Sequence, residues 1–273
     1  MNIFQFTDDL DYDKEYKYNI LVYPNITYMR DLEKDSYVVV LRNVIKELNK
    51  TSWGKMVHWT ILSPQEIKSL VFENTEQLPI ELPSYPNAMR THFNHKQLMK
   101  TIDWKKNDYD IVYSHLPEHT LQLSNMFVNE TNINPMFIGY CHWFEVPENT
   151  AYSKKMLMHN IAGILEMEEC GVNTEWLKDL VLEKAREVYH SRVVSELDHI
   201  IQPHYLGVDD ISTGHKHKHG TILFNHRDNE YTGYTWFVKQ MDSLWEKRQD
   251  FKVYTTLTDL DRPYAERVKL SSR

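Results

Sequence analysis

The stretch that decides the fold is TILFNHRDNEYTGYTWF, residues 221–237. Ile222, Leu223 and Phe224 read as a short strand that runs straight into Asn225, His226 and Arg227. An acidic loop and Gly233 follow. A helix over about 234–247 then begins, with Phe237, Met241, Leu244 and Trp245 on one face. A second apolar run at 251–257 closes the unit. Strand, polar tip, glycine, helix and strand together describe a parallel βαβ unit. Three hydrogen-bonding side chains at the strand's carboxyl end are more than a connecting loop needs.

Upstream lies ISTGHKHKHG (211–220), polar and glycine-bounded, which reads as a linker. The organisation expected is therefore an N-terminal α/β domain over 1–212, a linker at 213–220, and the start of a second domain over 221–273. That second part amounts to about one βαβ unit, and below about 60 residues an independent core is marginal. The reading expects an incomplete C-terminal domain, in a fragment or in a protein completed by a partner.

The first domain reads as alternating strands and helices. Strands are expected at 19–26, 56–62, 110–116 and 136–144, with one short strand in the Pro-bearing connection 70–92. A helix capped by Asp35 or Ser36 runs to Asn49, with Val38, Leu41, Ile45 and Leu48 as its apolar stripe. Shorter helices fall around 94–102 and through Leu121, Leu123 and Met126. Both periods fit parts of 158–174. TEWLKDLVLEKAREVYHSRVVSEL (174–197) reads as one long helix, and HIIQPHYLGVDD (199–210) as a strand ending at Gly207.

Composition excludes several classes. The net charge of −8 argues against a broad basic surface for duplex nucleic acid. Two cysteines, Cys141 and Cys170, are too few for a disulfide scaffold and point to a reducing, cytoplasmic compartment. No apolar run approaches membrane-spanning length, and the acidic N-terminus lacks the pattern of a signal peptide.

Three segments in order carry a family resemblance. CGVNTEWLKDLVL (170–182) is similar to a stretch of the GT-B glycosyltransferases in which a strand ends in Asn-Ser or Asn-Thr before a Trp-x-Lys helix. IIQPHYLGVDD (200–210) resembles the Pro-x-Gly-Val-Asp segment that closes the N-terminal domain in the family 4-like group. ILFNHRDNEYTG (222–233) stands where such enzymes open their donor domain with a strand, Gly-Arg and Lys-Gly. Two positions depart from the pattern: Thr232 replaces the lysine, and the loop 24–36 lacks glycines. A looser likeness is to phage-type enzymes that glycosylate modified DNA bases.

The resemblance implies a GT-B-like, Rossmann-like parallel α/β fold. It implies transfer of a sugar from a nucleotide-diphosphate-sugar donor to an acceptor that is a glycan, a small molecule or modified DNA, with no metal or further cofactor. Asn225, His226, Arg227, Tyr231, Thr232 and Gly233 would hold the donor. The residues support this physically, because ligands sit outside the carboxyl ends of parallel strands. A helix N-terminus attracts anions there, and Arg227 adds a bidentate donor. The plainer alternative pairs Arg227 with Asp228 or Glu230.

In GYCHWFEVPE, His142 and Glu145 stand where a strong strand runs out. The resemblance assigns such a histidine to the sugar or the acceptor, as catalytic machinery; the alternative is a histidine satisfied beside Trp143. His115, Glu118 and His119 in SHLPEH, with Asn173 and Thr174, are the acceptor-side candidates. Capping of the following helix is the competing role for the last two. A sugar-nucleotide epimerase, or a non-catalytic GT-B-like protein that binds a glycan or a partner, would use the same residues.

Other signals carry less. HKHKH (215–219) has no acidic support for a metal, and DLD (259–261) is too short to be informative. KQLMKTIDWKK (96–106) reads as a solvated helix face. Neither cysteine has the neighbours of a nucleophile.

Overall fold

A computed structural model describes residues 16–26, 32–81, 93–104, 108–131, 133–141, 144, 151–205, 221–224 and 233–255. The chain divides into two compact units, residues 1–207 and 208–273.

The first unit is built on seven strands: β1 (Tyr18–Tyr23), β2 (Val57–Ser63), β3 (Thr75–Pro79), β4 (Ile111–Ser114), β5 (Met136–Cys141), β6 (Glu169–Val172) and β7 (Ile201–Pro203). They form one parallel sheet in the order β3-β2-β1-β4-β5-β6-β7. The helices are α1 (Ser36–Leu48), α2 (His95–Thr101), α3 (Pro117–Glu130), α4 (Ala151–Ile164), α5 (Glu175–Arg186) and α6 (Ser191–Ile200).

Side-chain alternation along β1 separates the two faces. Ile20 and Val22 pack with Val38, Leu41 and Ile45 of α1. Leu21 and Tyr23 join the larger core that α2 to α6 cover, with Leu98, Phe127, Ile161, Val181 and Leu197. Because both faces of the central strands are covered, those strands read as unbroken apolar runs rather than alternating ones.

Local sequence explains most boundaries. Asp35 caps α1, its carboxylate accepting from the Tyr37 N–H at 2.9 Å, and Val38, Leu41 and Ile45 are buried as the stripe requires. Pro117 starts α3, where a missing N–H costs nothing. The ambiguous 158–174 stretch resolves into the end of α4 followed by β6. Gly163 fixes how α4 meets α3, since a Cβ there would run into the Pro117 carbonyl oxygen.

Three expectations are corrected. The helix over 174–197 is two helices, α5 and α6, broken around Tyr189 and His190. The apolar stripe fails at Val188, which is 55% exposed, and the His190 Nδ1 then accepts from the Arg192 N–H at 3.3 Å to start α6. Lys178 holds the pair together, its Nζ 2.9 Å from an Asp198 carboxylate oxygen. Second, β7 begins only at Ile201, because Ile200 is still helical and packs with Val194 and Leu197. Third, the strands expected at 19–26 and 110–116 end at Tyr23 and Ser114.

The second unit contains β8 (Thr221–Phe224), α7 (Tyr234–Trp245) and β9 (Lys252–Thr255), with β8 and β9 parallel. Tyr234 is buried, whereas Phe237, Met241, Leu244 and Trp245 are half-buried. Phe224 stacks on Phe237 with ring centroids 4.5 Å apart, and Trp245 on Phe251 at 5.4 Å. The linker expected at 213–220 lies outside the described residues. No helix among the described residues is long and apolar enough to cross a membrane.

Candidate functional site

The strand order reverses direction between β1 and β4. The chain steps from β1 through β2 to β3, then returns to β4 on the other side of β1. Loops diverge at such a switch point and leave a crevice at the carboxyl ends of the strands. The residues at those ends are Tyr23 on β1 and the run Ser114-His115-Leu116-Pro117-Glu118-His119-Thr120 leading from β4 into α3.

This run is densely polar for its burial. Ser114, His115, Glu118, His119 and Thr120 are each no more than 5% exposed. The Ser114 and Thr120 hydroxyls lie 3.0 Å apart. The Ser114 oxygen accepts from the Leu116 N–H at 3.3 Å, and the Thr120 hydroxyl donates to the Leu116 carbonyl at 3.1 Å. The His119 N–H donates to that same carbonyl at 2.9 Å, and the His115 N–H to the Tyr23 carbonyl at 2.9 Å. The turn is thus pinned from within and tied to β1.

The two histidines part company. His115 packs against Tyr37, with centroids 5.2 Å apart, and edge-on to Tyr113 at 4.7 Å. His119 lies between Tyr23 at 5.8 Å and Phe93 at 5.7 Å, and its Nδ1 is 2.9 Å from the Tyr23 hydroxyl. Tyr113 and Tyr23 belong to the cores on opposite faces of the sheet. The sequence expects His115, Glu118 and His119 to line the cleft of His142, which lies outside the described residues; His115 and His119 each sit in an aromatic surround of their own. Glu118 occupies the first turn of α3, where a carboxylate complements the helix dipole.

Asn173 and Thr174 are half-buried at the end of β6. The Thr174 hydroxyl oxygen accepts from the Leu177 N–H at 3.1 Å, the capping role. In the second unit Gly233 heads α7 with φ +74°, and its carbonyl accepts from the Phe237 N–H at 2.8 Å. A Cβ at Gly233 would meet nothing within 4 Å, so the backbone angle and not crowding calls for glycine. His142, Glu145, Asn225, His226, Arg227, Tyr231 and Thr232 lie outside the described residues.

Burial sets the titration behaviour around the sheet. It pushes the phenols of Tyr23 and Tyr113 well above their ordinary value. The Tyr140 phenol and the Cys170 thiol are each pushed up to about 12, chiefly by burial. Cys170 therefore stays protonated near neutral pH, which disfavours thiolate chemistry. Among the described residues no group of three or more His, Cys, Asp or Glu side chains could hold a metal ion.

Sequence reading missed Tyr23, Tyr37, Phe93 and Asn160 as neighbours or polar members of this region. Tyr23 could have been found as the last apolar-run residue before Pro24. Phe93 and Tyr37 arrive from distant segments and carry no local signal. Asn160 is fully buried on α4, and among the described residues neither end of its carboxamide has a hydrogen-bond partner. It lies one turn before Gly163, hence on the side of α4 that meets the first turn of α3.

No family model and no curated protein matches the chain. Among solved structures it is similar to Phytolacca americana UGT2, described as complexed with UDP-2fluoro-glucose and pterostilbene. The TM-score is 0.46 and the identity 9%, over 91% of this chain and 72% of that one.

Proposed function

We propose that the chain is a GT-B-type glycosyltransferase that moves a sugar from a nucleotide-diphosphate-sugar donor to an acceptor, without a metal ion. The observation that carries the reading is Gly233, a left-handed glycine heading α7, the helix that follows the parallel strand β8 in the chain. A helix start behind a parallel strand is a site for a diphosphate. The first unit, with its reversal between β1 and β4, supports the reading as the acceptor-side half.

In this reading the diphosphate meets the α7 N-terminus, and Arg227 gives two N–H donors to its oxygens. Asn225, His226, Tyr231 and Thr232 complete the donor contacts. As the glycosidic bond to the diphosphate breaks, negative charge grows on the leaving group, and the same donors stabilise it most in the transition state. His142 takes the acceptor hydroxyl proton near neutral pH, and Glu145 orients it.

Calorimetric titration with UDP-glucose and GDP-mannose tests the proposal. The expected result is saturable binding of one donor, weakened at least roughly tenfold in Arg227→Ala with the circular dichroism spectrum unchanged. Equal affinity in the variant, or no binding by the wild type, would overturn it.

A further inference from the structure

Two large aromatic side chains stand out in solvent at one end of the sheet. Trp176 is 70% exposed and Tyr205 69% exposed. They follow adjacent parallel strands, β6 and β7, paired as Cys170 with Ile201, Gly171 with Gln202 and Val172 with Pro203. The ladder continues one step, the His204 N–H donating to the Val172 carbonyl at 2.7 Å. The same register sets Tyr205 level with Thr174, the cap of α5, and Trp176 is the second residue of that helix. From strand spacing and helix rise, the two backbones come within about 10 Å of each other.

They also share a side of the sheet. The His204 imidazole turns toward the Gly171 face, where its Nε2 lies 2.9 Å from a Glu169 carboxylate oxygen. The alternation of β7, which ends at Pro203, extrapolated two residues on, sends Tyr205 the other way. That is the side of Cys170 and Val172, which pack with Leu177 and Val181 of α5, and so the side of Trp176. Among the described residues no other ring and no cation stacks on either aromatic.

The chemistry around the pair selects the ligand. Asn173 and Thr174, neutral hydrogen-bonding groups, follow β6 and lead into α5. The nearby charges are the exposed carboxylates of Glu175 and Asp179 on α5, with Lys178 paired to Asp198 and Glu169 to His204, on a chain of net charge −8. That balance disfavours phosphate-bearing ligands. A pyranose has an apolar C–H face to lay on an aromatic ring and hydroxyls at its rim for amide and hydroxyl partners. Tyr and Trp suit such a ligand because they offer apolar area with a polar handle.

We propose that Trp176 and Tyr205 form a stacking platform for a neutral oligosaccharide, each ring carrying one sugar residue. As an acceptor subsite this rests on the transferase reading; as a glycan-binding site it needs no donor. Calorimetric titration of the full chain with maltohexaose, cellohexaose and chitohexaose tests it. One of these should bind saturably, and Trp176→Ala and Tyr205→Ala should each weaken that binding about tenfold or more. Trp176→Phe should recover most of it. Both positions are exposed, so the variants keep the fold.

Lack of binding by all three sugars, or undiminished binding in Trp176→Ala, would overturn the platform. Binding of a single-stranded oligothymidine in place of the sugars would overturn it too. Donor titration in parallel separates the two ideas. Donor binding without glycan binding removes only the platform, whereas glycan binding without donor binding removes only the transferase.

Discussion

The Tyr23 hydroxyl and the His119 Nδ1 are hydrogen-bonded at 2.9 Å, both groups buried, tying the last residue of β1 to the first turn of α3. This bond spans the point where the sheet's strand order reverses. Tyr23→Phe removes the hydroxyl and leaves the imidazole in place, so stability should fall by about 1–2 kcal/mol. Urea unfolding measures it, and an unchanged midpoint would show that the bond contributes nothing net.

Asn160 presents the opposite case. Its carboxamide is fully buried with no hydrogen-bond partner among the described residues, a desolvation cost without compensation. Asn160→Leu should raise stability by about 1–2 kcal/mol. A clear loss of stability instead would mean that the amide makes a polar contact in solution.

Thr174 serves as the cap of α5. Thr174→Ala should cost about 1 kcal/mol and Thr174→Asp should restore it. If neither substitution moves the unfolding midpoint, the residue is kept for another reason, and its candidacy as an acceptor contact gains weight.

Gly233 adopts φ +74°, a conformation that costs an L-residue about 1–2 kcal/mol. Gly233→Ala should destabilise the start of α7 by that amount. Hydrogen exchange at the Phe237 amide, bonded to the Gly233 carbonyl, should accelerate while exchange in β1 and β4 stays the same.

Stability should decline in alkali. The Cys170 thiol ordinarily loses its proton near 9.0 but keeps it to about 12 when folded, and the Tyr140 phenol moves from 10.0 to about 12. Between those limits the native state binds more protons than the unfolded chain, so stability falls as pH rises. Each group contributes at most about 1.4 kcal/mol per pH unit. Urea midpoints from pH 8 to 11 should therefore drop from about pH 9 upward. In Cys170→Ala the onset should move toward pH 10, and an identical slope would refute the assignment.

The elements themselves were legible in the amino-acid order wherever one period dominated. Apolar runs long enough to be buried on both faces announced β1, β2, β4 and β5, and a clean stripe with an acidic cap announced α1. The βαβ unit around Gly233 was readable because its glycine, polar tip and flanking apolar runs are contiguous. Reading failed where a local pattern was continuous but the helix was not. The residues 174–197 keep helical propensity throughout, yet the chain breaks around Tyr189 and His190, and Leu177 and Val181 of α5 enter one core together with Val194 and Leu197 of α6.

Which polar groups meet was decided by the tertiary structure alone. The order of residues placed His115 and His119 four apart in one polar run. The fold sends one toward Tyr37 and Tyr113 and the other toward Tyr23 and Phe93. Nothing local encodes that Tyr23 and His119, 96 positions apart, will bond. That partnership exists because β4 returns beside β1, and strand neighbours in a parallel sheet are chosen by long-range burial. The run of strands and helices and the polar chemistry at their ends follow from residue order, since both are written in short-range periodicity. Strand order, and with it the company each polar group keeps, came from the packing of distant segments against one another.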